Sequence, residues 1–392
     1  MRPRQKLLIL AASVYQIPFI EAARKFGCEV LTVDNRPDNP GHALADRSFH
    51  CDTTDVDALV ELARRECIDG VVAAATDVAL DGAAAIGATL GLPGATPTCV
   101  ATLTRKLAFR ELQARLALPH PYFTDSISCA EFGPAQIVKP NRASGSKGVR
   151  IVTDADQLQA AWSQAQRESI DRTAMIESLI PGQQGTIEGV MHEGRISASM
   201  VTDRSTAAAP AVGTRSHRVP AAFPTKALDA LHEQIECVFS FLQYRNGPFD
   251  ADFVHGANGV VVLIELTPRA GGNSLVRLMK HAADFDMPAY VVDTALGKPV
   301  GVKPFRIQPA AVEILGVETS GIIEYDAVEI ARIKAMPSVA FFHMDRPPGA
   351  FVQAFVDGRH RVGELVVVSD SATGVEMALA EAHHRLRLRV LP

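Results

Sequence analysis

The chain has few of the features that mark extracellular, membrane-bound or nucleic-acid-binding proteins. Its six cysteines show no CxxC pair and no His/Cys ligand spacing, which predicts buried, reduced thiols in a cytoplasm. No apolar run approaches the ~20 residues that a membrane-spanning helix needs. The net charge of −5 argues against general nucleic-acid binding. With 392 residues, no internal repeat and no low-complexity tract, two or three globular domains are expected.

The first 94 residues alternate apolar β-rich runs with amphipathic segments. This alternation predicts a parallel, doubly wound sheet, in which ligands approach the carboxyl ends of the strands. Those ends carry Ser13, Asp34 and the pair Thr76-Asp77. A signal peptide over the basic start and LLILAASV is the minor alternative. The loop AASVYQ lacks the G-x-G-x-x-G pattern, so a dinucleotide site is not favoured.

Residues 248–273 carry the strongest chemical signal. Two β-rich runs, FDADFV and VVLIELT, flank Asn258-Gly259, which predicts a two-residue hairpin turn. With that turn, Asp252 faces Glu265 on one side of the hairpin. Facing carboxylates repel each other unless a cation lies between them, and a pair with room for water and phosphate oxygens suits Mg²⁺. A solvated acidic face is the alternative.

The same register places three further polar residues on this face. Asp250 faces Thr267, and Arg269 follows two residues later, where its planar fork can hold an anion. The hairpin is therefore predicted to present both metal-binding and anion-binding groups.

A Gly/Ser loop at 144–148, SGSKG, lies between two predicted strands. Without a following helix it is not a Walker P-loop, but its small residues let backbone N–H groups approach phosphate oxygens. Lys139 ends the preceding apolar strand, where a cation is costly unless it meets an anion. Lys106 lies on a predicted helix. A plain turn and a solvated lysine are the alternatives.

Taken in order, these motifs resemble the ATP-grasp superfamily of ADP-forming ligases. The resemblance rests on Lys106, IVKP, ASGSKGV, MIESLIPG, and the pair FDADF and IELTPRAGG, and it extends from about residue 7 to about residue 300. HRVPA at 217–221 resembles a segment of the carboxylate–amine (amino-acid or peptide) ligase branch, where the histidine lies near the substrate.

The resemblance implies a role for each matching position. The nucleotide contacts are Lys106, Lys139, Ser144, Gly145, Ser146, Gly148, Glu177, Ser178, Ile180 and Gln184. The metal ligands are Asp252, Glu265 and Thr267. The catalytic groups are Arg269, Lys139 and Gly272. The substrate contacts are Arg215, His217, Arg218 and Arg269.

Three positions depart from the family pattern. Thr267 replaces an asparagine that ligates metal, and Asp250 opposite it is expected to compensate. Gln184 replaces the ribose-binding acid, which predicts weaker ATP affinity. The first loop reads AAS where the family often has GAS or GGG.

The implied reaction joins a carboxylate to an amine through an acyl phosphate, giving an amide, ADP and phosphate. The implied cofactors are ATP and Mg²⁺, or Mn²⁺ in its place. The expected partners are small-molecule carboxylates and amines, and family members are often homodimers. Two alternatives stay open. One is a purine-pathway or carboxylase-like enzyme acting on formate or bicarbonate, and the other is a non-catalytic ATP-binding module.

The implied fold is α/β and has four parts. An N-terminal doubly wound domain (1–94) precedes a small ATP-grasp subdomain with the flap (95–175). A large subdomain with the metal hairpin (176–300) and a small α+β C-terminal region (301–392) follow.

Overall fold

A computed structural model describes residues 4–130, 135–298 and 301–391. The boundary predicted at residue 300 and the first residues of the basic start lie outside these ranges. Among the described residues, none of the helices combines the length and apolar character needed to cross a bilayer.

The N-terminal segment is a parallel sheet covered by helices on both faces. Its elements are β1 (Lys6–Leu10), α1 (Ile17–Lys25), β2 (Glu29–Asp34), β3 (Arg47–His50), α2 (Val56–Glu66), β4 (Gly70–Ala73) and α3 (Leu80–Leu90). The strand order is β3-β2-β1-β4, and each neighbouring pair is parallel. Leu7 and Ile9 pack with α1, whereas Leu8 and Leu10 pack with α2 and α3. The predicted doubly wound sheet is confirmed.

Two helices lead into the subdomain that carries the Gly/Ser loop. The elements are α4 (Pro97–Leu103), α5 (Lys106–Arg115), β5 (Phe123–Thr124), β6 (Gln136–Pro140), β7 (Arg150–Val152), α6 (Ala155–Glu168) and β8 (Ala174–Ser178). The strand order is β5-β8-β6-β7. The antiparallel strands β6 and β7 flank residues 141–149, which contain the Gly/Ser loop at 144–148, and we call this connection the flap.

A large antiparallel sheet forms the centre of the molecule. The next elements are β9 (Gly182–His192), β10 (Arg195–Thr206), β11 (Thr214–Val219), α7 (Thr225–Phe241), β12 (Gly247–Gly256), β13 (Val261–Thr267), α8 (Leu275–Ala283) and α9 (Met287–Ala295). α7 packs behind the β12–β13 hairpin in an apolar cluster that includes Leu231, Phe239 and Leu263. The opposite face of the hairpin is therefore free to carry polar groups.

The C-terminal region shares this central sheet. Its elements are β14 (Ala310–Leu315), β15 (Gly321–Glu324), α10 (Glu329–Lys334), β16 (Val339–Met344), β17 (Phe351–Val352), β18 (Gly363–Val368), α11 (Ala372–Leu386) and β19 (Arg389–Leu391). The central sheet runs β13-β12-β9-β10-β11-β14-β18-β16, and a small sheet runs β17-β15-β19. The region is α+β, as predicted, but three of its strands continue the central sheet.

The turn of the β12–β13 hairpin differs from the prediction. The two-residue turn is wrong, because Gly256 and Val260 bracket a loop of three residues. A type I′ turn needs φ > 0 at both central residues, and of the Asn258-Gly259 pair only Gly259 has it, at +79°. Next to this loop, the strand pairing is shifted by one residue from the register that a two-residue turn would give. A bulge beside Asp252 shifts it back, so that Asp252 pairs with Glu265 as predicted.

Candidate active site

The predicted carboxylate pair is present at the mouth of the β12–β13 hairpin. Asp252 and Glu265 are directly paired across the strands. The Thr186 hydroxyl donates to Asp252 Oδ1 at 2.6 Å, and Arg204 lies 3.0 Å from Asp252 Oδ2. Lys106 Nζ lies 3.4 Å from Glu265 Oε1. The two carboxylates keep 25% and 32% of their side-chain surface exposed, so they remain open to a ligand.

Arg269 joins the hairpin to the N-terminal domain. Its Nε and Nη2 donate to Asp77 Oδ1 at 2.9 and 2.6 Å, and its Nη1 donates to Asp250 Oδ2 at 2.7 Å. Burial opposes the charge, but the two carboxylates outweigh it and hold the pKa of Arg269 above its usual value. The N–H of Ala75 also donates to the carbonyl of Ala270 at 3.0 Å. The loop after β4 is thereby docked against the segment that follows β13.

Glu188 on β9 is a buried acid that the sequence interpretation missed. It is directly paired with Asp250 on β12, and both of its oxygens accept from the Gly271 N–H at 2.9 Å. Burial, together with the Asp250 carboxylate, raises the pKa of Glu188 well above its usual value. Burial also raises the pKa of Asp250 to about 6. The sequence signal that could have identified Glu188 is an acidic residue within the otherwise apolar run IEGVM.

A cavity of about 250 Å³ lies between the flap and the hairpin, and we call it the flap cavity. Its walls include the apolar side chains of Ile137, Leu179, Ile180 and Ile264. They also include charged and polar side chains, among them Lys106, Lys139, Lys147, Glu177, Gln184, Arg204, Asp252 and Glu265. A cavity with both apolar and charged walls suits a planar base that carries phosphates.

Lys139 and Glu177 form a buried ion pair in this cavity. Lys139 Nζ lies 2.7 Å from Glu177 Oε2, and the two side chains are 5% and 3% exposed. Arg110 holds the other oxygen of Glu177 at 2.8 Å. Burial opposes ionisation of Glu177, yet the two cations hold its pKa below the usual value. The anion predicted beside Lys139 is therefore present within the protein itself.

A second cavity, of about 320 Å³, lies where the N-terminal, hairpin and C-terminal regions meet, and we call it the junction cavity. Its lining includes Tyr15, Asp77, His217 and Arg359, and also Ser144, Arg269 and Gly272. Asp252, Glu265, Arg204 and the flap residues 145–147 border both cavities. The carboxylate pair thus stands at the boundary between the two spaces.

His217 is buried in the wall of the junction cavity. Its Nδ1 lies 3.0 Å from the Thr202 hydroxyl, and its Nε2 has no partner among the described residues. Burial, with a smaller contribution from Arg204, lowers the pKa of His217 to about 3. The imidazole is therefore neutral at physiological pH, with one ring nitrogen free for a ligand.

Four predicted site residues lie outside both cavities. Arg215 pairs with Glu318, and Arg218 pairs with Glu313 and Glu376. Thr267 is buried, and its hydroxyl donates to the carbonyl of Asp250 at 3.2 Å. Gly148 lies against Glu168 and Pro140, where a side chain would collide. The remaining predicted residues line one cavity or the other.

The carboxylate pair fits a magnesium–nucleotide complex better than a metal held by protein alone. In the described part of the chain, no group of three or more His, Cys, Asp or Glu side chains is placed to hold a metal. Mg²⁺ commonly takes one or two carboxylates and completes its shell with water and phosphate oxygens. Burial opposes ionisation of Glu265, but Lys106, Arg269 and Lys139 more than offset this and hold its pKa below the usual value.

Comparison with known families identifies two parts of the chain. Residues 134–277 match the model of the ATP-grasp domain, and residues 319–391 match L-amino acid ligase C-terminal domain 2. The first match contains the flap, the predicted nucleotide contacts Glu177, Ser178 and Ile180, and the carboxylate hairpin. The chain therefore carries an ATP-grasp domain followed by an L-amino acid ligase C-terminal domain. The family assignment made from the motifs is confirmed, and so is its consequence that the protein is an enzyme.

Individual relatives of this ATP-grasp ligase differ in their reactions. It is 29% identical over 98% of its length to a formate-dependent phosphoribosylglycinamide formyltransferase of Thioalkalivibrio sulfidiphilus, covering 97% of that protein. An L-amino acid ligase structure from Bacillus licheniformis is 20% identical with a TM-score of 0.82, covering 100% of this chain and 99% of that one. An N5-carboxyaminoimidazole synthetase of Staphylococcus aureus complexed with ADP is 15% identical with a TM-score of 0.75, covering 97% and 98%. The two structures share the fold.

Nucleotide binding by the ATP-grasp ligase should weaken as the pH rises through about 8. Burial, partly offset by Glu177, lowers the pKa of Lys139 to about 8, so its positive charge is present at pH 7 and is lost above pH 8. MgADP affinity, measured by calorimetry from about pH 7 to about pH 9, should fall by up to about tenfold per pH unit. Lys139→Arg stays charged and should flatten this dependence. An equal slope in both proteins would contradict the role of Lys139.

Proposed function

We propose that this ATP-grasp ligase joins a carboxylate to an amine while ATP is converted to ADP and phosphate. The observation that carries the proposal is the meeting of the flap and junction cavities at Asp252 and Glu265. A phosphate chain running from the flap cavity would end where a second substrate can approach. The match of residues 319–391 to the C-terminal domain of L-amino acid ligases supports amino acids as the substrates.

The proposed chemistry converts a poor electrophile into a good one. A substrate carboxylate oxygen attacks the terminal phosphorus, ADP leaves, and an acyl phosphate forms. The nitrogen of the amine then attacks the acyl carbon, the bond from carbon to the phosphate oxygen breaks, and a proton leaves the nitrogen. Because no enzyme nucleophile is needed, catalysis depends on positioning and on charge stabilisation.

Each part of the site has a role in this proposal. Asp252 and Glu265 would hold Mg²⁺, which when bound neutralises charge on the phosphates. Lys106 and Lys139 contact the phosphates. The flap covers them and excludes water, which would otherwise hydrolyse the acyl phosphate. Arg269 borders the junction cavity, and its proposed role is to stabilise charge on the group being transferred.

The junction cavity is proposed to bind the carboxylate and the amine. The free Nε2 of His217 provides a neutral hydrogen-bonding group in its wall. Arg215 and Arg218, which the sequence interpretation assigned to the substrate, are engaged in ion pairs with acidic residues. Arg269 is also paired, with Asp77 and Asp250, but it lines the junction cavity, as His217 does, whereas Arg215 and Arg218 do not. We therefore favour His217 and Arg269 as the substrate contacts among the predicted residues.

ADP release from ATP and Mg²⁺ should require one acid together with one amine. The protein is tested against a mixed panel of amino acids, small carboxylates and amines, and ADP is measured by a coupled assay. Glu265→Ala, which removes one of the paired carboxylates, serves as the inactive control. ADP release that needs both partners and disappears in the control agrees with the proposal. No release with any mixture would contradict it.

A second candidate is an enzyme that activates formate or bicarbonate in a purine-type reaction. The named relative with 29% identity over 98% of the chain favours it. The same assay separates the two candidates. ADP release that requires formate or bicarbonate together with a phosphoribosylated amine, and that no amino acid supports, would replace the amino-acid proposal.

We also propose a cytoplasmic location and leave the homodimer as a prediction. Each of the six cysteines lies in the described ranges and is free, which suits a reducing compartment. Size-exclusion chromatography with light scattering measures the oligomeric state directly.

A further inference from the structure

Arg110 on α5 is a buried arginine with every N–H donor engaged by described residues. Its Nε and Nη2 donate to the Glu177 carboxylate at 2.8 and 3.4 Å. Its Nη1 donates to Gln113 Oε1 at 2.6 Å and to the Leu263 carbonyl at 3.3 Å. Nη2 also donates to the Ile264 carbonyl at 2.8 Å. The side chain is 0% exposed, so five bonds in a dry interior hold the guanidinium in one place.

One end of Arg110 is attached to the bulge that aligns the carboxylate pair. The strand register shifts by one residue next to Asp252 and Glu265, which leaves Ile264 as the extra residue of β13. A bulge disrupts the ladder locally and re-aims the neighbouring side chains. Ile264 has no pairing partner on β12, and Arg110 donates a hydrogen bond to its carbonyl instead. The position of Glu265 therefore depends on a bond from outside the sheet.

The other end of Arg110 is attached to the lysine of the flap cavity. Glu177 Oε1 accepts from Arg110, and Glu177 Oε2 lies 2.7 Å from Lys139 Nζ. Glu177 is 2% exposed, so water has little access to compete with Arg110 or Lys139 for its carboxylate. Through this shared carboxylate, Arg110 fixes where the lysine ammonium sits.

We infer that Arg110 is a positioning residue that sets the spacing between Lys139 and the Asp252–Glu265 pair. Arg110 lines neither cavity, so we expect it to act through other residues and not by contacting a ligand. It bridges β8 of the flap subdomain and β13 of the central sheet, which belong to the two halves that enclose the flap cavity. The importance of this positioning role for catalysis rests on the proposed function. The alternative is that Arg110 only stabilises the fold, as a buried charge network.

The test uses MgADP binding to the full-length protein, which requires no knowledge of the other substrates. Arg110→Lys keeps the charge but cannot make five fork-shaped bonds. Calorimetry at a temperature where circular dichroism shows the variant folded should give an MgADP affinity roughly 10–100-fold weaker than wild type, as for other groups that orient ligand-binding residues. The control is Arg115→Lys on the same helix, where Arg115 lies over the Phe241 ring at 4.8 Å, and its affinity should be unchanged.

A double-mutant cycle separates positioning from stability. Glu177→Gln should weaken MgADP more in wild type than in Arg110→Lys, because the Arg110–Glu177 contact that couples the two residues is already lost in the variant, whereas the Glu177–Lys139 contact is present in both. If Arg110→Lys does not fold, Gln113→Ala, which removes one acceptor of Nη1, takes its place and should weaken MgADP by a smaller factor. Folded variants with wild-type affinity would overturn the inference. Failure of wild type itself to bind MgADP would overturn the proposed function instead.

Discussion

Replacing Glu265 with glutamine should reduce ADP formation by at least about 100-fold, because a bound metal ion contributes several kcal/mol to the transition state and each ~1.4 kcal/mol is tenfold in rate. Glutamine keeps the shape of the side chain but removes the charge that faces Asp252. It also removes the charged partner of Lys106, whose Nζ lies 3.4 Å from the carboxylate and also donates to the Ala143 carbonyl. The rate is measured at several Mg²⁺ concentrations with the acid and amine that the panel identifies.

The control for this change is Glu193→Gln. Glu193 lies in the exposed turn between β9 and β10, away from both cavities, so its loss should leave the rate unchanged. Partial recovery of Glu265→Gln at high Mg²⁺ would agree with weakened metal binding. A wild-type rate at all Mg²⁺ concentrations would show that the pair does not hold the metal.

Arg269→Lys should lower kcat by roughly 10²–10³-fold, which is the loss seen when one preorganised transition-state donor is removed. Arg269 uses two edges of its guanidinium to bridge Asp77 and Asp250, and a lysine ammonium is a point charge that cannot bridge both with the same geometry. One buried carboxylate would lose its partner, so the melting temperature should also fall. Steady-state kinetics and thermal denaturation measure the two effects separately.

The matched control is Arg195→Lys, because Arg195 forms an ion pair with Glu236 while its side chain is 81% exposed. It should change neither kcat nor the melting temperature measurably. An Arg269→Lys variant with normal kcat and a lower melting temperature would assign Arg269 to structure alone. Reduced kcat with a normal melting temperature would still support the transfer role.

The facing carboxylates were predicted correctly, although the turn that led to them was wrong. The three-residue loop and the bulge at Ile264 each move the pairing by one residue in opposite directions. Asp252 therefore meets Glu265 as it would across a simple two-residue turn. Local turn rules describe the chain near Asn258-Gly259, but a bulge held by Arg110 depends on a helix more than a hundred residues away in sequence.

The partners of the site residues could not be read from the sequence. Asp77 was identified at a strand end, yet its bond to Arg269 spans 192 residues. Glu188 had no motif of its own, because its significance comes from lying opposite Asp250 in the folded sheet. Strand pairing and inter-domain contact decide such partnerships, and short-range periodicity carries no information about them.

The basic residues at 215–218 show that the sequence can also assign a residue to the substrate when its partner lies within the protein. The motif predicted that His217, Arg215 and Arg218 all contact the substrate, but of these three only His217 lines the junction cavity. Those arginines meet Glu318, Glu313 and Glu376, which come from the C-terminal region. A cation on a strand can serve a ligand or a neighbouring acid, and the tertiary fold decides between them.

The shared central sheet has a consequence for how this protein can be shortened or recombined. Because β14 pairs along β11, a chain ending near residue 300 would expose the backbone edge of a strand that is interior in the whole molecule. Such an edge is a template for association between copies, so the fragment should be poorly soluble. Chimaeras with related enzymes would need to exchange the strands of residues 310–368 as a block. We therefore expect the C-terminal region to fold together with the central sheet and not as an appended module.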